Sequence, residues 1–127
     1  MQEAYLFEYA VLRIVPRVER EEFLNTGVIL YCRDKRFLQT IITIDSTRLL
    51  TFCPALDLQE VSAHLQAFEQ IALGNTAAGP IARLDIASRF RWLTATRSTV
   101  IQSSKVHPGL CTDPQDTLIK LHAQLVL

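Results

Sequence analysis

The feature that most constrains the fold is a pair of apolar segments within residues 25–44, separated by the charged tip at 34–36. Residues 28–32 are all apolar, whereas a strand with one exposed face would alternate with polar residues. We therefore expect the strand at 27–33 to be central and covered on both faces. The segment at 37–44 also carries large apolar side chains on both alternating faces. Because an isolated hairpin is only marginally stable, a third strand and a covering helix are required.

Two further segments have the pattern of strands. Residues 5–15 place apolar side chains on both faces, interrupted by Glu8 and Arg13 on opposite faces. Pro16 ends this segment because it donates no main-chain hydrogen bond. A fourth strand is predicted at 99–103, where Thr99, Ile101 and Ser103 share one face and Val100 and Gln102 share the other.

Two helices are predicted with clear termini. Residues 58–73 carry an apolar stripe at three- and four-residue steps. Asp57 and Glu60 form a capping-box pattern before this stripe, and Gly74 follows it. The second helix spans 114–126 and begins with an Asp-Pro pair, which is favoured at a helix start.

The remaining segments are less distinct. Residues 81–95 fit both a helical and a strand pattern, and we expect a short helix or turn that leads into a strand. His107, Pro108 and Gly109 predict a turn. The chain is therefore expected to be a single globular α+β domain over residues 1–127. Its mainly antiparallel sheet has about four strands, covered by two main helices.

Composition and charge exclude several classes of protein. The hydrophobic content of 49% and charged content of 20% are those of a globular chain, not a disordered one. No apolar run approaches the roughly 20 residues of a membrane helix, so no membrane association is expected. The net charge is zero, which argues against a general polyanion binder. The charge is nevertheless uneven, since residues 75–127 hold six basic and three acidic side chains.

The cysteines and the N-terminus indicate a cytoplasmic protein. Cys32, Cys53 and Cys111 are scattered and lack the spacing of a zinc site, so we expect three reduced thiols and no bound metal. The N-terminal residues lack the basic start and apolar block of a secretory signal. No dinucleotide fingerprint or Walker loop is present, and no cofactor is predicted.

Catalytic patterns are equally weak. Ser98, Ser103, Ser104 and Cys111 are candidate nucleophiles, with His107 as the nearest candidate base. No glycine elbow surrounds any of the serines, and no acidic partner is evident near the histidine. The sequence therefore predicts no catalytic residue and favours a protein that is not an enzyme.

A basic segment is the best candidate for a binding site. Residues 83–105 hold five basic side chains and one acidic residue, with Phe90 and Trp92 between arginines. Arginine grips phosphate or carboxylate and aromatic rings stack on bases, which suggests a nucleotide or nucleic-acid contact. The competing interpretation is a solvated basic face on which Phe90 and Trp92 are core anchors. If the face that carries the arginines is instead buried, they require ion-pair partners, with Glu8 as the nearest candidate. The candidate anion- or partner-binding residues are Arg89, Arg91, Arg97, Gln102, His107, Arg13 and Asn25.

Blocks along nearly the whole chain resemble a known family. They are FEYAVLRIVP at 7–16, EFLNTGVILYC at 22–32, SRFRWLTA at 88–95, RSTVIQ at 97–102 and VHPGL at 106–110. In these blocks the chain resembles the bacterial domain-of-unknown-function family numbered 3037. The resemblance implies no activity, but it does imply a partner, a kinase-like protein of the HipA type. We therefore predict a non-enzymatic accessory or protein-interaction domain. The alternative is a nucleotide- or nucleic-acid-handling protein that uses the basic segment.

Overall fold

The computed structural model describes residues 3–97 and 99–127. The candidate nucleophile Ser98 and the first two residues of the N-terminus lie outside the described residues. The strands are β1 (Tyr5–Ile14), β2 (Leu24–Cys32), β3 (Phe37–Ile42), β4 (Ile101–Ser103) and β5 (His107–Cys111). The helices are α1 (Ser46–Phe52), α2 (Leu58–Leu73), α3 (Ile86–Leu93) and α4 (Pro114–Leu125).

The strands form one antiparallel sheet in the order β3-β2-β1-β4, with β5 also paired to β1. Strand β1 is ten residues long and pairs with two short strands, β5 and β4, along one of its edges. Its first half pairs with β5, where Tyr5 lies opposite Cys111, and its second half pairs with β4, where Leu12 lies opposite Ser103. The predicted α+β class with an antiparallel sheet is confirmed.

Strand β2 is covered on both faces. Ile29 and Tyr31 pack in a cluster with side chains of α2 and α3. Val28 and Leu30 pack on the opposite face, in a cluster that includes Leu118 of α4. The prediction of a central strand from five consecutive apolar residues is therefore confirmed.

The ends of α2 follow from local sequence. The Asp57 carboxylate accepts hydrogen bonds from the main-chain N–H groups of Gln59 and Glu60. Gly74 has a φ of 74°, which glycine adopts without steric cost, and it donates to main-chain carbonyls of the last turn. Helix α4 begins at Pro114, as predicted, and ends one residue before the predicted end.

The segment between α2 and α4 differs most from the sequence prediction. Residues Ile86–Leu93 form the helix α3, and the strand that follows begins at Ile101 rather than at Thr99. The predicted turn at His107–Gly109 is wrong, because these residues lie in β5. The physical reason is that β1 offers a free edge and Gly109 leaves room for the Phe7 ring opposite it. A proline is tolerated at Pro108 because β5 is itself an edge strand.

Candidate binding cleft and the basic segment

A cleft of about 570 Å³ lies between α2, the C-terminal end of α3 and β4. Its walls are largely apolar and include Phe68, Ile71 and Leu93. Trp92 and Arg97 also line it, so that part of the predicted basic segment contributes to a shared cavity. Pockets of roughly 300–1,000 Å³ that are mainly apolar with a few polar groups are typical of ligand sites. We call this cavity the α2–α3 cleft.

Arg97 is held by the end of α3. Its guanidinium donates to the carbonyl oxygen of Leu93 at 3.0 Å and to that of Trp92, and lies 4.4 Å from the centroid of the Trp92 ring. Carbonyls at a helix C-terminus favour a cation. Burial lowers the pKa of Arg97 from its ordinary value. No carboxylate of the described residues lies within ion-pair distance of it.

The α2 side of the cleft was not predicted. His64 and Glu60 line it, with the His64 Nε2 atom 3.7 Å from a carboxylate oxygen of Glu60. From sequence, His64 is an ordinary histidine on the flank of a helix. The spacing of four residues could have indicated the pair. Only the packing of α2 against α3 and β4 could show that the pair borders a cavity.

The side chains of Arg89 and Arg91 make contacts outside the α2–α3 cleft. Arg89 donates to the carbonyl oxygen of Leu84 at 2.8 Å and lies against Gly74 at the end of α2. Arg91 forms an ion pair with Glu8, with 2.8 Å between its nitrogen and the carboxylate oxygen. Residues two positions apart on a helix are separated by about 200°, which directs these two side chains to different places. Glu8 is the residue that the sequence analysis named as the nearest candidate ion-pair partner of the arginines.

Three other candidate residues form a row across the sheet. Arg13 in β1 lies opposite Asn25 in β2 and opposite Gln102 in β4. The Asn25 amide donates to the carbonyl oxygen of Leu125 at 3.0 Å, which holds the end of α4. The Arg13 guanidinium lies 4.0 Å from the centroid of the Phe23 ring. Among the described residues, the Nε atom of Arg13 and the Oδ1 atom of Asn25 are buried without hydrogen-bond partners.

The seven candidate residues therefore do not converge on one site. Arg97 and Gln102 line the α2–α3 cleft, whereas Arg89 and Arg91 make separate contacts. His107 lies on β5, with its ring 5.3 Å from that of Tyr9.

Two of the candidate nucleophiles that the structure describes, Ser104 and Cys111, are in buried structural positions. The Ser104 hydroxyl accepts from the main-chain N–H of Val11 at 2.8 Å and donates to the carbonyl of Lys105. Burial, with a further contribution from Cys32, raises the pKa of the Cys111 thiol, which weakens it as a nucleophile at neutral pH. In residues 3–97 and 99–127, no three His, Cys, Asp or Glu side chains are placed to hold a metal ion. No helix in this part of the chain has the length and apolar character needed to cross a membrane.

These features define an antiparallel α+β protein with a largely apolar cleft that Arg97 lines. The chain belongs to the family described as protein of unknown function (DUF3037), whose family model matches residues 9–126. This match confirms the resemblance seen in the sequence blocks. Comparison with curated proteins and with solved structures gives no significant match.

Proposed function

We propose that this protein is a non-enzymatic accessory domain that binds a segment of a partner polypeptide in the α2–α3 cleft. The observation that carries the proposal is the pairing of largely apolar walls with Arg97, which has no carboxylate partner among the described residues. Such a cleft fits an apolar side chain with a neighbouring carboxylate, because burial of apolar area supplies affinity and the arginine fixes orientation.

The family resemblance suggests which partner to test first. We propose a kinase-like protein of the HipA type, with residues 1–127 acting as a single domain in the cytoplasm. The three free cysteines support a reducing compartment. Trp92 supports the cleft as the contact surface, since 40% of this residue is exposed and tryptophan is enriched at the centre of interfaces.

The experiment is purification of the tagged protein from its native host, followed by mass spectrometry and measurement of absorbance at the nucleic-acid wavelength. We expect a stoichiometric partner protein that is lost with Trp92→Ala and with Arg97→Met. Arg83→Met is the matched control, since Arg83 is exposed in the same basic segment and does not line the cleft. Retention of the partner by both cleft variants, each shown to be folded by circular dichroism, would contradict the proposal.

A second candidate function is nucleotide or nucleic-acid handling. It is favoured by the stacking of Arg97 on Trp92 beside the cleft, since an arginine and an exposed ring together suit a phosphate and a base. In the same purification, a bound nucleotide or RNA in place of a partner protein would support this function. Loss of that nucleotide or RNA in Arg97→Met, but not in Arg83→Met, would assign it to the cleft.

A further inference from the structure

Strand β3 is an edge of the sheet without the usual protection. Among the described residues it pairs only with β2. Its sequence, FLQTII, contains no charge and no proline, and its register with β2 is regular. Natural edge strands usually carry a charge, a proline or a bulge that prevents pairing with another chain. The edge strand β5 follows this rule through Pro108, whereas β3 does not.

The outward hydrogen-bonding groups of β3 can be assigned. Thr43 donates its main-chain N–H to the carbonyl of Thr26 at 2.7 Å. In an antiparallel ladder the bonded residues alternate, so Gln39 and Ile41 are bonded toward β2 in the same way. The main-chain groups of Leu38, Thr40 and Ile42 are then directed to the open side. They form a template for one further antiparallel strand.

We propose that this strand is β3 of a second copy of the chain, paired antiparallel about a two-fold axis at Thr40. In this register Leu38 lies opposite Ile42 of the second copy, and Thr40 lies opposite itself. On the face that carries Leu38 and Ile42, apolar side chains meet apolar side chains, and a threonine pair occupies the axis, which is a favourable cross-strand pair. The self-complementary pattern is what a two-fold interface requires.

The charges at the two ends of β3 select a second copy as the occupant. The hairpin tip before β3 carries Arg33, Lys35 and Arg36 with a single acid, Asp34. Beyond the other end, Asp45 follows in the chain, and Glu69 of α2 lines a groove of about 380 Å³ together with Ile42 and Ile44. Antiparallel pairing about Thr40 places Arg36 opposite Ile44 of the second copy. The basic tip of each copy therefore lies beside the acidic end of the other.

The test is the oligomeric state, measured by sedimentation equilibrium over a concentration series. We expect a reversible dimer. Thr40→Pro is expected to give a monomer, because proline removes an outward N–H that the monomer does not use. Arg36→Glu is expected to raise the dimer Kd about tenfold, since it alters two symmetric charge contacts.

A charge exchange provides the sharper test. The double variant Arg36→Glu with Glu69→Arg is expected to restore the wild-type Kd, whereas either single variant weakens the dimer. Arg83→Glu makes the same charge change away from β3 and should leave the Kd unchanged. The proposal is overturned if the protein remains monomeric up to about 100 μM. It is also overturned if the chain is monomeric and its β3 pairs with a different protein. If Thr40→Pro does not fold, the charge variants provide the test. A dimer Kd that neither Arg36→Glu nor Glu69→Arg changes then overturns the proposal.

Discussion

Arg91 in α3 and Arg97, four residues after the end of α3, differ in how strongly their surroundings bind them. Arg91 pairs with Glu8 across a partly solvated gap, since the Arg91 side chain is 57% exposed and that of Glu8 is 26% exposed. Arg97 instead binds two carbonyls at the end of α3 and lies on the Trp92 ring. The helix dipole and the ring both favour its charge at that position. A loss of about 3 kcal/mol, typical of a broken buried ion pair, is therefore not expected for Arg91.

The two arginines give the first prediction. Arg97→Met should lower the free energy of unfolding by about 1–2 kcal/mol, because it removes the contacts with the α3 carbonyls and with Trp92. Arg91→Met should lower it by less than about 1 kcal/mol, as exposed ion pairs do. Urea denaturation measures both values. Equal losses would show that the two environments do not differ as the contacts indicate.

Gly109 gives the second prediction at this scale. A Cβ atom there would lie 2.5 Å from the Cζ atom of Phe7 and 2.7 Å from its Cε1 atom. The buried ring would have to move, so Gly109→Ala should destabilise the protein by about 1–3 kcal/mol. Phe7→Leu in the same chain should recover part of this loss, because leucine is smaller. Additive losses in the double variant, measured by thermal unfolding, would rule out the steric explanation.

At the scale of elements, β2 and β4 represent the two extremes of the sheet. Strand β2 lies between β1 and β3 and is buried on both faces. Strand β4 has three residues, all partly exposed, and pairs only with β1 among the described strands. Local opening is easiest where few apolar contacts and few strand neighbours oppose it.

Amide hydrogen exchange tests this difference. The main-chain N–H groups of residues 28–32 should exchange among the slowest in the chain, at rates set by global unfolding. Residues 101–103 should exchange much faster. Rapid exchange of residues 28–32 under native conditions would contradict the central position of β2.

At the scale of the whole molecule, the sheet separates two apolar layers. One layer contains Ile29 with Phe68 and Phe90, and the other contains Leu30 with Leu118. Strands β1 and β2 contribute to both, so unfolding either layer exposes side chains of the other. Cys111 belongs to the second layer and is buried with Cys32.

The Cys111 thiol links global stability to alkaline pH. Its pKa in the folded protein is raised, first by burial and then by Cys32, above the ordinary 9.0 that it regains on unfolding. The folded state therefore retains the proton longer, and its stabilisation is complete below pH 9 and lost as the pH rises through the folded pKa. Thermal unfolding between pH 8 and pH 11 should show a steeper fall for the wild type than for Cys111→Ala. Parallel curves would contradict this linkage.

The sequence by itself determined the elements whose signals are local. The apolar run of β2, the Asp57 cap and the glycine after α2 act within a few residues, so their positions follow from pattern and main-chain geometry. The α+β class follows from the strand and helix patterns, and the family membership follows from the sequence blocks that resemble the family. Arg97 and Gln102 were also recognised as candidates, although their shared cavity was not.

Tertiary structure decided whatever depends on residues that are distant in the chain. Residues 107–111 become a strand because β1, about a hundred positions earlier, offers them an edge. Arg91 is paired with Glu8, which is 83 positions away in the chain, whereas Arg97 binds carbonyls of the helix that ends just before it. The cleft exists because α2 and α3 pack on the same face of the sheet. Local propensity specifies where elements begin and end, but which side chains meet depends on the burial of apolar surface over the whole chain.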